Sequence, residues 1–386
     1  MDGLRGGAGE GVWVRLGAGP EEDAAALRRA GALLRRGGLV AFPTETVYGL
    51  GADALNPQAV ARIFAAKGRP ADNPLIVHVT GVEQAGPEVV AHWPPVARRL
   101  AERFWPGPLT LVLPAGPRVP AAVRAGLPTV AVRCPAHPVA QALIAAAGTP
   151  VAAPSANRSG RPSPTRAEDV WADLGPHLDL LLDAGPVPVG VESTVIDVTA
   201  WPPRLLRPGG LPVEELEAAL GVSLAPPPAL AQGAAAPAPG MKYRHYAPEA
   251  PVVLAGDADQ GAGFLRRWLE EGQRVALVGC REDLEAVLRR TGADARWLAL
   301  EDEPARPAGP LIALDLGPRA RPDLHARRLF RALRAADAAG STRVLALAVP
   351  EEGLGRAVMN RLRKAAAGGE VPGREREARA EGRDRL

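Results

Sequence analysis

The chain has 386 residues, of which 47% are apolar, so it is long enough for two domains with sizeable cores. Its 46 basic and 43 acidic side chains give a formal net charge of +3, which argues against a nucleic-acid coat protein or a membrane-surface binder. The two cysteines, Cys134 and Cys280, lie far apart in sequence and exclude a cysteine-rich zinc site or a disulfide framework.

The first eleven residues are Gly-rich and lack the apolar stretch of a secretory signal. Nowhere in the chain do about 18 apolar residues follow one another without a charge, so we expect no membrane span. A cytoplasmic location is the resulting expectation.

The N-terminal half mixes helical and strand patterns. Apolar residues recur at helical spacing over residues 21–36, where Gly37 and Gly38 end the helix. Further helices are predicted over 57–67, 96–104 and 137–147, and strands over 39–42, 75–79, 109–113, 129–132, 151–153, 180–183 and 194–198. Because these elements do not alternate cleanly as βαβ units, we expect a mixed α/β or α+β domain with a twisted sheet over residues 12–222.

Residues 223–240 are dense in proline and alanine and show no periodicity, which is typical of a linker. Beyond it, strands are predicted over 251–255, 274–278 and 343–349, and helices over 261–271, 282–291 and 326–339. This pattern predicts a small Rossmann-like α/β domain with a parallel sheet over residues 248–367. The Arg-, Glu- and Gly-rich residues 368–386 are predicted to be disordered.

The usual phosphate-binding loops, GxxxxGK[ST] and GxGxxG between a strand and a helix, are absent, so any nucleotide site must be built differently. Only three of the basic residues are lysines, namely Lys67, Lys242 and Lys364. A lysine retained in so arginine-rich a chain is a functional candidate, because ammonium and guanidinium are not interchangeable.

The first polar motif is PTETVYGLG, residues 43–51. Thr44 and Thr46 would point to one face if the preceding strand continues, and two hydroxyls suit a small polar ligand. An ordinary turn with threonines bonded to the local backbone explains the pattern equally well.

The second motif is KGRPADNPLIVHV, residues 67–79. Lys67 and Arg69 flank a glycine just past a helix end, where they can converge on a polyanion or simply favour the helix dipole. Asn73 lies where the chain enters the next strand. His78 lies inside that strand, a position more typical of a hydrogen-bonded core histidine.

Two motifs follow strands in the middle of the chain. In TVAVRCP, Arg133 ends an apolar strand, and a cation at a strand end that faces a cleft commonly binds a carboxylate. Cys134 is interpreted as a packing residue. In APSANRSGRPSPT, the side chains of Ser155, Asn157 and Ser163 offer donors for phosphate or ribose, although a plain surface loop is the alternative.

Two further motifs lie later in the chain. The fifth motif combines ESTVIDV, which contains Ser193, with LLRPGG, which contains Arg207, and either residue allows ligand contacts or turn chemistry. The segment GMKYRHYAP ends the linker with a cationic and aromatic cluster that includes His245 and Tyr246. Such a cluster in a featureless linker indicates a segment that folds over a ligand, the alternative being a solvated patch leading into the second domain.

In this order the six motifs resemble the threonylcarbamoyl-AMP synthase family, in its two-domain form with a YrdC-like catalytic domain and a concave, positive pocket. The resemblance covers about residues 12 to 367, with residues 223–247 as a linker carrying a KYRHY lid. It implies that L-threonine, bicarbonate and ATP give threonylcarbamoyl-AMP and pyrophosphate. A tRNA threonylcarbamoyl transferase complex would then modify adenosine 37 of tRNA.

The resemblance also implies residue roles. L-Threonine would contact Thr44, Thr46, His78, Arg133, Ala153 and Ser193. ATP would contact Lys67, Arg69, Asn73, Thr129, Ser155, Asn157, Ser163, Arg207 and Tyr246. Lys67 and Arg69, with magnesium, would neutralise charge while a carbamate oxygen of threonine attacks the α-phosphorus. No protein metal ligand and no general base are nominated.

Two rival functions compete with this one. A carbamoyltransferase of hydrogenase maturation shares a YrdC-like domain but needs cysteine-rich zinc fingers, which two cysteines exclude. A non-catalytic RNA-binding module stays open at this point, and direct binding of tRNA with it.

Overall fold

The structure, a computed structural model, describes residues 11–229, 235–241, 245–300 and 309–367. The predicted disordered tail and three residues of the lid motif, Lys242, Tyr243 and Arg244, lie outside the described residues. Within these ranges no helix has the length and apolar character needed to cross a membrane.

The first domain contains ten strands and six α-helices among its described residues. Its strands are β1 (Val12–Arg15), β2 (Val40–Pro43), β3 (Tyr48–Asp53), β4 (Ile76–His78), β5 (Leu109–Pro114), β6 (Thr129–Arg133), β7 (Val151–Ala152), β8 (Leu180–Asp183), β9 (Thr194–Asp197) and β10 (Arg204–Arg207). Its helices are α1 (Pro20–Arg35), α2 (Pro57–Lys67), α3 (Pro95–Phe104), α4 (Pro138–Ala147), α5 (Ala167–Leu174) and α6 (Val213–Leu220).

These strands form one mixed sheet in the order β1-β8-β2-β3-β7-β4-β6-β5-β9-β10. Successive side chains of a strand face opposite sides of the sheet, and β2 shows this directly. Ala41 joins the apolar cluster that includes α2 and α3, whereas Val40 and Phe42 join the cluster under α1 and α4. The sheet is therefore covered on both faces, as expected for the mixed α/β class.

Helix α2 is defined at both ends by its sequence. The Asn56 side chain accepts from the backbone N–H of Gln58 and Ala59 at 3.0 and 3.1 Å, and Pro57 occupies the first helical position. Gly68 ends the helix in the left-handed conformation, with φ of 60°. This ending places Lys67 in the last turn and directs the chain back toward β4.

The second domain contains β11 (Val252–Ala255), β12 (Val275–Gly279), β13 (Arg296–Trp297), β14 (Leu311–Asp315) and β15 (Arg343–Leu347), with helices α7 (Ala258–Glu270), α8 (Arg281–Thr291), α9 (Pro322–Ala338) and α10 (Leu354–Ala366). The sheet order is β11-β15-β12-β14-β13, and the described pairs are parallel. The predicted parallel α/β domain is confirmed. Its strands β13 and β14 and its helix α10 were not predicted.

The two domains share a buried apolar cluster. Val47 and Val191 of the first domain pack in the same cluster as Phe330 of α9 and Leu362 of α10. Gly190 permits the close approach, because a Cβ at this position would lie 2.4 Å from the Arg327 Cα. The second domain therefore abuts the loops that follow β2 and precede β9.

The linker packs against the first domain over its described residues. Ala236 and Ala238 are fully buried, and the Ala236 N–H donates to the Asp72 carbonyl at 3.3 Å. In residues 223–229, 235–241 and 245–247 the structure has no helix and no long strand, in keeping with the proline-rich composition. That composition did not indicate that small alanine side chains would be buried along the sheet.

Candidate active site

A cavity of about 50 Å³ lies beside the C-terminal ends of β2, β4, β6 and β7. This volume has room for a few water molecules. It is lined by Thr44, Thr46, Val47, Gly49, Arg69, Ile76, His78, Arg133, Ala153, Pro154, Ser155, Glu192, Ser193, Arg207, Pro239, Gly240, His245 and Tyr246. Most of the sequence-predicted site residues therefore meet at one place.

The turn between β2 and β3 supplies a hydroxyl pair. Strand β2 does not continue through this motif but ends at Pro43, and the chain returns antiparallel as β3. The Thr44 and Thr46 hydroxyl oxygens nevertheless lie 2.8 Å apart, and Thr44 also donates to the Val47 carbonyl at 2.6 Å. The two threonines thus lie in a turn and also line the cavity, so the turn does not exclude a ligand contact.

Arg133 ends β6 and connects this turn to the sheet. Its Nη1 donates to the Thr46 hydroxyl at 2.8 Å, and its Nη2 lies 2.7 Å from the Glu45 carboxylate. All three side chains are buried. The guanidinium is thereby held in one place in the cavity lining, and a guanidinium is a common partner of a carboxylate.

His78, Ala153 and Ser193 line the same cavity as this turn. Burial, and then the nearby Arg133, lower the pKa of His78 to about 3, so the imidazole is neutral at physiological pH. The His78 Nδ1 lies 3.2 Å from the Ile76 carbonyl, which favours the tautomer that carries the proton on Nδ1. The Ser193 hydroxyl is 2.7 Å from that of Thr110.

Lys67 and Arg69 are buried, with 3% and 8% of their surfaces exposed. Both cations are packed inside the domain although they lie at the end of a helix, and Lys67 lies against the loop of residues 155–163. The Lys67 ammonium donates to the Ser155 and Asn157 carbonyls. Burial, and then repulsion by Arg69, lower the pKa of Lys67 well below its usual value, and burial lowers that of Arg69 to about 10.

In the loop of residues 155–163, one predicted site residue lines the cavity and two lie behind it. Ser155 lines the cavity and donates to the Asn157 side-chain oxygen at 2.5 Å. Asn157 and Ser163 lie behind the lining; the Ser163 hydroxyl donates to the Glu192 Oε1 at 2.5 Å. In this arrangement neither side chain faces the cavity. Asn157 bonds within the loop, and Ser163 positions the Glu192 carboxylate.

The linker and β10 close the remaining side. The Arg207 Nη2 donates to the Ser193 hydroxyl at 3.2 Å, and its Nη1 donates to the Pro239 carbonyl at 3.3 Å. Tyr246 is 2% exposed and lies against His245, with ring centroids 4.9 Å apart. Burial, and then Arg69, lower the pKa of His245 to about 3, so this ring is also neutral.

Two predicted contacts lie elsewhere. Asn73 is buried behind Arg69, whose Nε donates to the Asn73 carbonyl at 3.0 Å, while the Asn73 side-chain oxygen has no hydrogen-bond partner. Thr129 begins β6 and pairs with Pro114, at the opposite end of the strand from Arg133. The structure does not bring Thr129 to the cavity, because three residues of extended chain lie between it and Arg133.

Glu192 is the main site residue that the sequence analysis missed. It is the one carboxylate among the residues that line the cavity, and it directly precedes Ser193 in the motif EST. The signal was therefore visible, but an acidic residue beside a proposed polyanion site was not expected. Its role as a counter-charge needs partners distant in sequence, notably Arg361 of α10.

The charges at the cavity favour an anionic ligand. Three cations, Arg69, Arg133 and Arg207, line it, and Lys67 lies directly behind the lining. The carboxylates number two, namely Glu192 in the lining and Glu45 beside Arg133. Buried cations that exceed their counter-charges are costly unless an anion joins them. No cluster of three or more metal-binding side chains is found in the part of the chain that the structure describes.

Comparisons with known proteins show the family of the chain. Residues 32–209 match the family model described as "Telomere recombination", and residues 211–367 match that described as "Threonylcarbamoyl-AMP synthase, C-terminal domain". The threonylcarbamoyl-AMP synthases of Pyrococcus abyssi and Bacillus subtilis are 48% and 42% identical to this chain, covering 88% and 89% of it and 93% of each relative.

Two solved structures share the fold over nearly the whole chain. The crystal structure of P. abyssi Sua5 complexed with L-threonine has a TM-score of 0.79 at 46% identity, covering 92% of this chain and 97% of its own. A P. abyssi Sua5 variant with adjacent histidine and tyrosine residues replaced by alanine has a TM-score of 0.80 at 44% identity, covering 92% and 96%.

Proposed function

Because the chain belongs to the threonylcarbamoyl-AMP synthase family, we propose that its cavity is where L-threonine, bicarbonate and ATP become threonylcarbamoyl-AMP and pyrophosphate. The enzyme is an AMP-forming transferase. The observation that supports this site most strongly is the convergence of two unlike subsites. The hydroxyls of Thr44, Thr46 and Ser193 and the guanidinium of Arg133 line the same cavity as Arg69 and Arg207.

The first subsite suits threonine. Arg133 is held by Glu45 and Thr46 in a position to receive the amino-acid carboxylate. The neutral His78 and the Ser193 hydroxyl are available for the amine and hydroxyl of the substrate. Val47, Ile76 and Ala153 provide an apolar wall for its methyl group.

The second subsite suits the polyphosphate of ATP. Lys67, Arg69 and Arg207 approach it from α2, the following turn and β10, and Ser155 adds a hydroxyl. The amine of threonine attacks the bicarbonate carbon and water leaves, giving a carbamate. A carbamate oxygen then attacks the α-phosphorus and expels pyrophosphate, while the cations stabilise the charge on the phosphoryl oxygens.

Magnesium enters this scheme with its substrate, as Mg–ATP. Magnesium commonly keeps several waters and is held by substrate phosphates with one or two carboxylates. Glu192 is already bonded to Ser163 and Arg361, so the phosphates themselves are the principal ligands. This scheme requires no resident metal.

The linker acts as a lid over the nucleotide. His245 and Tyr246 already line the cavity, and the remaining 50 Å³ cannot hold ATP. The linker must therefore move outward to admit ATP, and closure afterward excludes water from a hydrolysable anhydride. Tyr246 contacts the nucleotide in the closed complex.

The chemistry of the product determines the class of the next reaction. A mixed anhydride of a carbamate and a phosphate is an acyl donor, so the next step is acyl transfer to an amine. A tRNA threonylcarbamoyl transferase complex, acting on adenosine 37 of tRNA in the cytoplasm, fits this chemistry. Among the described residues, none beyond residue 247 lines the cavity.

Pyrophosphate release tests the proposal. It should require ATP, threonine and bicarbonate together, and threonylcarbamoyl-AMP should appear in equal amount by mass spectrometry. Binding of tRNA without any pyrophosphate release would favour the non-catalytic RNA-binding alternative, which the enzymatic relatives already disfavour.

A further inference from the structure

The closed lid is held by the second domain as well as by the first. The Tyr246 ring stacks on Phe330 of α9, with centroids 5.4 Å apart, and the Arg361 guanidinium of α10 lies 5.3 Å from its centroid. Tyr246 has a φ of 64°, a left-handed conformation that tyrosine rarely adopts. Such a conformation persists where the surroundings fix it, and these contacts from α9 and α10 do so.

Arg361 also reaches the wall of the cavity. It is completely buried, and its Nε and Nη2 lie 3.0 and 2.9 Å from the Glu192 Oε2. Its Nη1 donates to the Pro208 carbonyl at 2.6 Å. Burial raises the pKa of Glu192, but Arg361 and then Arg207 outweigh burial and bring this pKa below its usual value. Arg361 thus keeps the cavity carboxylate ionised and in place.

Lys364 lies three residues after Arg361, on the same face of α10. Its ammonium donates to the Gly240 carbonyl in the linker turn that lines the cavity. The preceding carbonyl, that of Pro239, accepts from Arg207 of the first domain at 3.3 Å. The linker turn is therefore held from both domains at neighbouring carbonyl groups.

We propose that Arg361 and Lys364 are positioning residues of the active site, and that holding the lid is a function of the second domain. Neither side chain is required to touch the reacting atoms. Arg361 acts through Tyr246 and Glu192, and Lys364 acts through Gly240. The inference rests on the proposed function of the linker as a lid over ATP.

The chain provides matched variants for a test. Lys364→Met removes the linker contact, Lys364→Arg keeps a cationic donor, and Phe330→Leu removes the stacking without changing charge. Arg363→Met alters the adjacent exposed residue, which pairs with Glu351 across the outer surface of α10. Arg327→Met removes an interdomain bond to the Pro188 carbonyl that does not involve the linker.

The first readout is trypsin cleavage after Lys242 or Arg244 in the unliganded full-length chain, followed by mass spectrometry. Lys364→Met and Phe330→Leu should be cleaved about tenfold faster than the wild type, a shift of ~1.4 kcal/mol in lid opening. Lys364→Arg should restore much of the protection, and both controls should match the wild type. Equal cleavage in all variants would overturn the proposal.

The second readout is kinetic. Lys364→Met and Phe330→Leu should raise the KM for ATP about tenfold while the KM for threonine changes less than about twofold, because the linker is no longer held over the nucleotide. An unchanged or lower KM for ATP, or equal changes in both KM values, contradicts the positioning role. If the wild type itself releases no pyrophosphate, the proposed function fails, yet the cleavage comparison still decides whether α10 holds the linker.

Discussion

The Arg133 guanidinium donates to the Thr46 hydroxyl across 2.8 Å, although 87 residues separate them in sequence. This bond joins the end of β6 to the β2–β3 turn and sets one wall of the cavity. Because Glu45 holds the same guanidinium at 2.7 Å, Arg133 keeps one orientation before any substrate arrives. Preorganised donors of this kind lose little conformational entropy when a ligand binds.

Replacing Arg133 with Met, or Thr46 with Val, should weaken threonine binding selectively. Loss of a hydrogen bond to a charged group costs about 1.5–3 kcal/mol, or roughly 10- to 150-fold in the KM for threonine. The KM for ATP should change little. Initial rates of pyrophosphate release at varied threonine and saturating ATP measure the effect. A larger rise in the KM for ATP would place the two residues in the wrong subsite.

Lys67→Ala and Arg69→Ala should each lower turnover by about 100-fold or more, as expected for cations that stabilise transition-state charge. Because Lys67 is buried and bonded to two carbonyls, its loss should also destabilise the fold by about 1–3 kcal/mol. Urea unfolding and turnover are measured on the same samples. Full activity with reduced stability would show that the role of these residues is purely structural.

Threonine should be preferred over serine. The apolar wall of Val47, Ile76 and Ala153 recognises one methyl group, which is worth about 1–3 kcal/mol, or roughly 10- to 200-fold in kcat/KM. Pyrophosphate release with each amino acid, with and without bicarbonate, measures the ratio. Equal rates for all small amino acids would refute the threonine assignment.

The lid should close more tightly over its ligands. Trypsin cleavage after Lys242 or Arg244 should slow when ATP and threonine are added together, and Tyr246→Ala should abolish most of this protection and most of the synthesis. The substitution is made in the full-length chain, because truncation after Val222 would remove Arg361 and strip Glu192 of its buried partner. If ligands leave the cleavage rate unchanged, the segment is a tether.

Two neutral histidines predict a specific dependence on pH. The folded-state pKa values of His78 and His245 are about 3, and the usual unfolded value is about 6.5. Between these values the unfolded chain binds more protons, so stability falls as the pH drops below 6.5. Each histidine should cost about 2 kcal/mol at pH 5.

Urea unfolding of His78→Gln at pH 7 and pH 5 measures the contribution of one group, with the exposed His92→Gln as the control. The pH difference in unfolding free energy should shrink for His78→Gln only. The pH–rate profile should also lack a limb near pH 6.5 from either residue. An equal response of both variants would contradict the buried, neutral state of His78.

Much of the fold can be predicted from local patterns. Helix α2 was predicted over residues 57–67 and is observed over Pro57–Lys67, because its cap, its first proline and its terminal glycine are all encoded locally. The turn before strand β3 was one of the two interpretations of its motif, but the strand itself was missed, since glycines and a tyrosine obscure the strand pattern that pairing with β2 and β7 stabilises. Helix α10 was missed although it carries Arg361 and Lys364.

The sequence by itself determined the motifs, their order and the family to which the chain belongs. It also determined the kind of chemistry, since hydroxyls and cations follow successive strands. Only the tertiary structure decided that Lys67 is buried, that Thr129 lies at the far end of β6, and that Glu192 pairs with Arg361. These facts depend on contacts between residues far apart in the chain, because burial and counter-charge are set by packing rather than by local sequence.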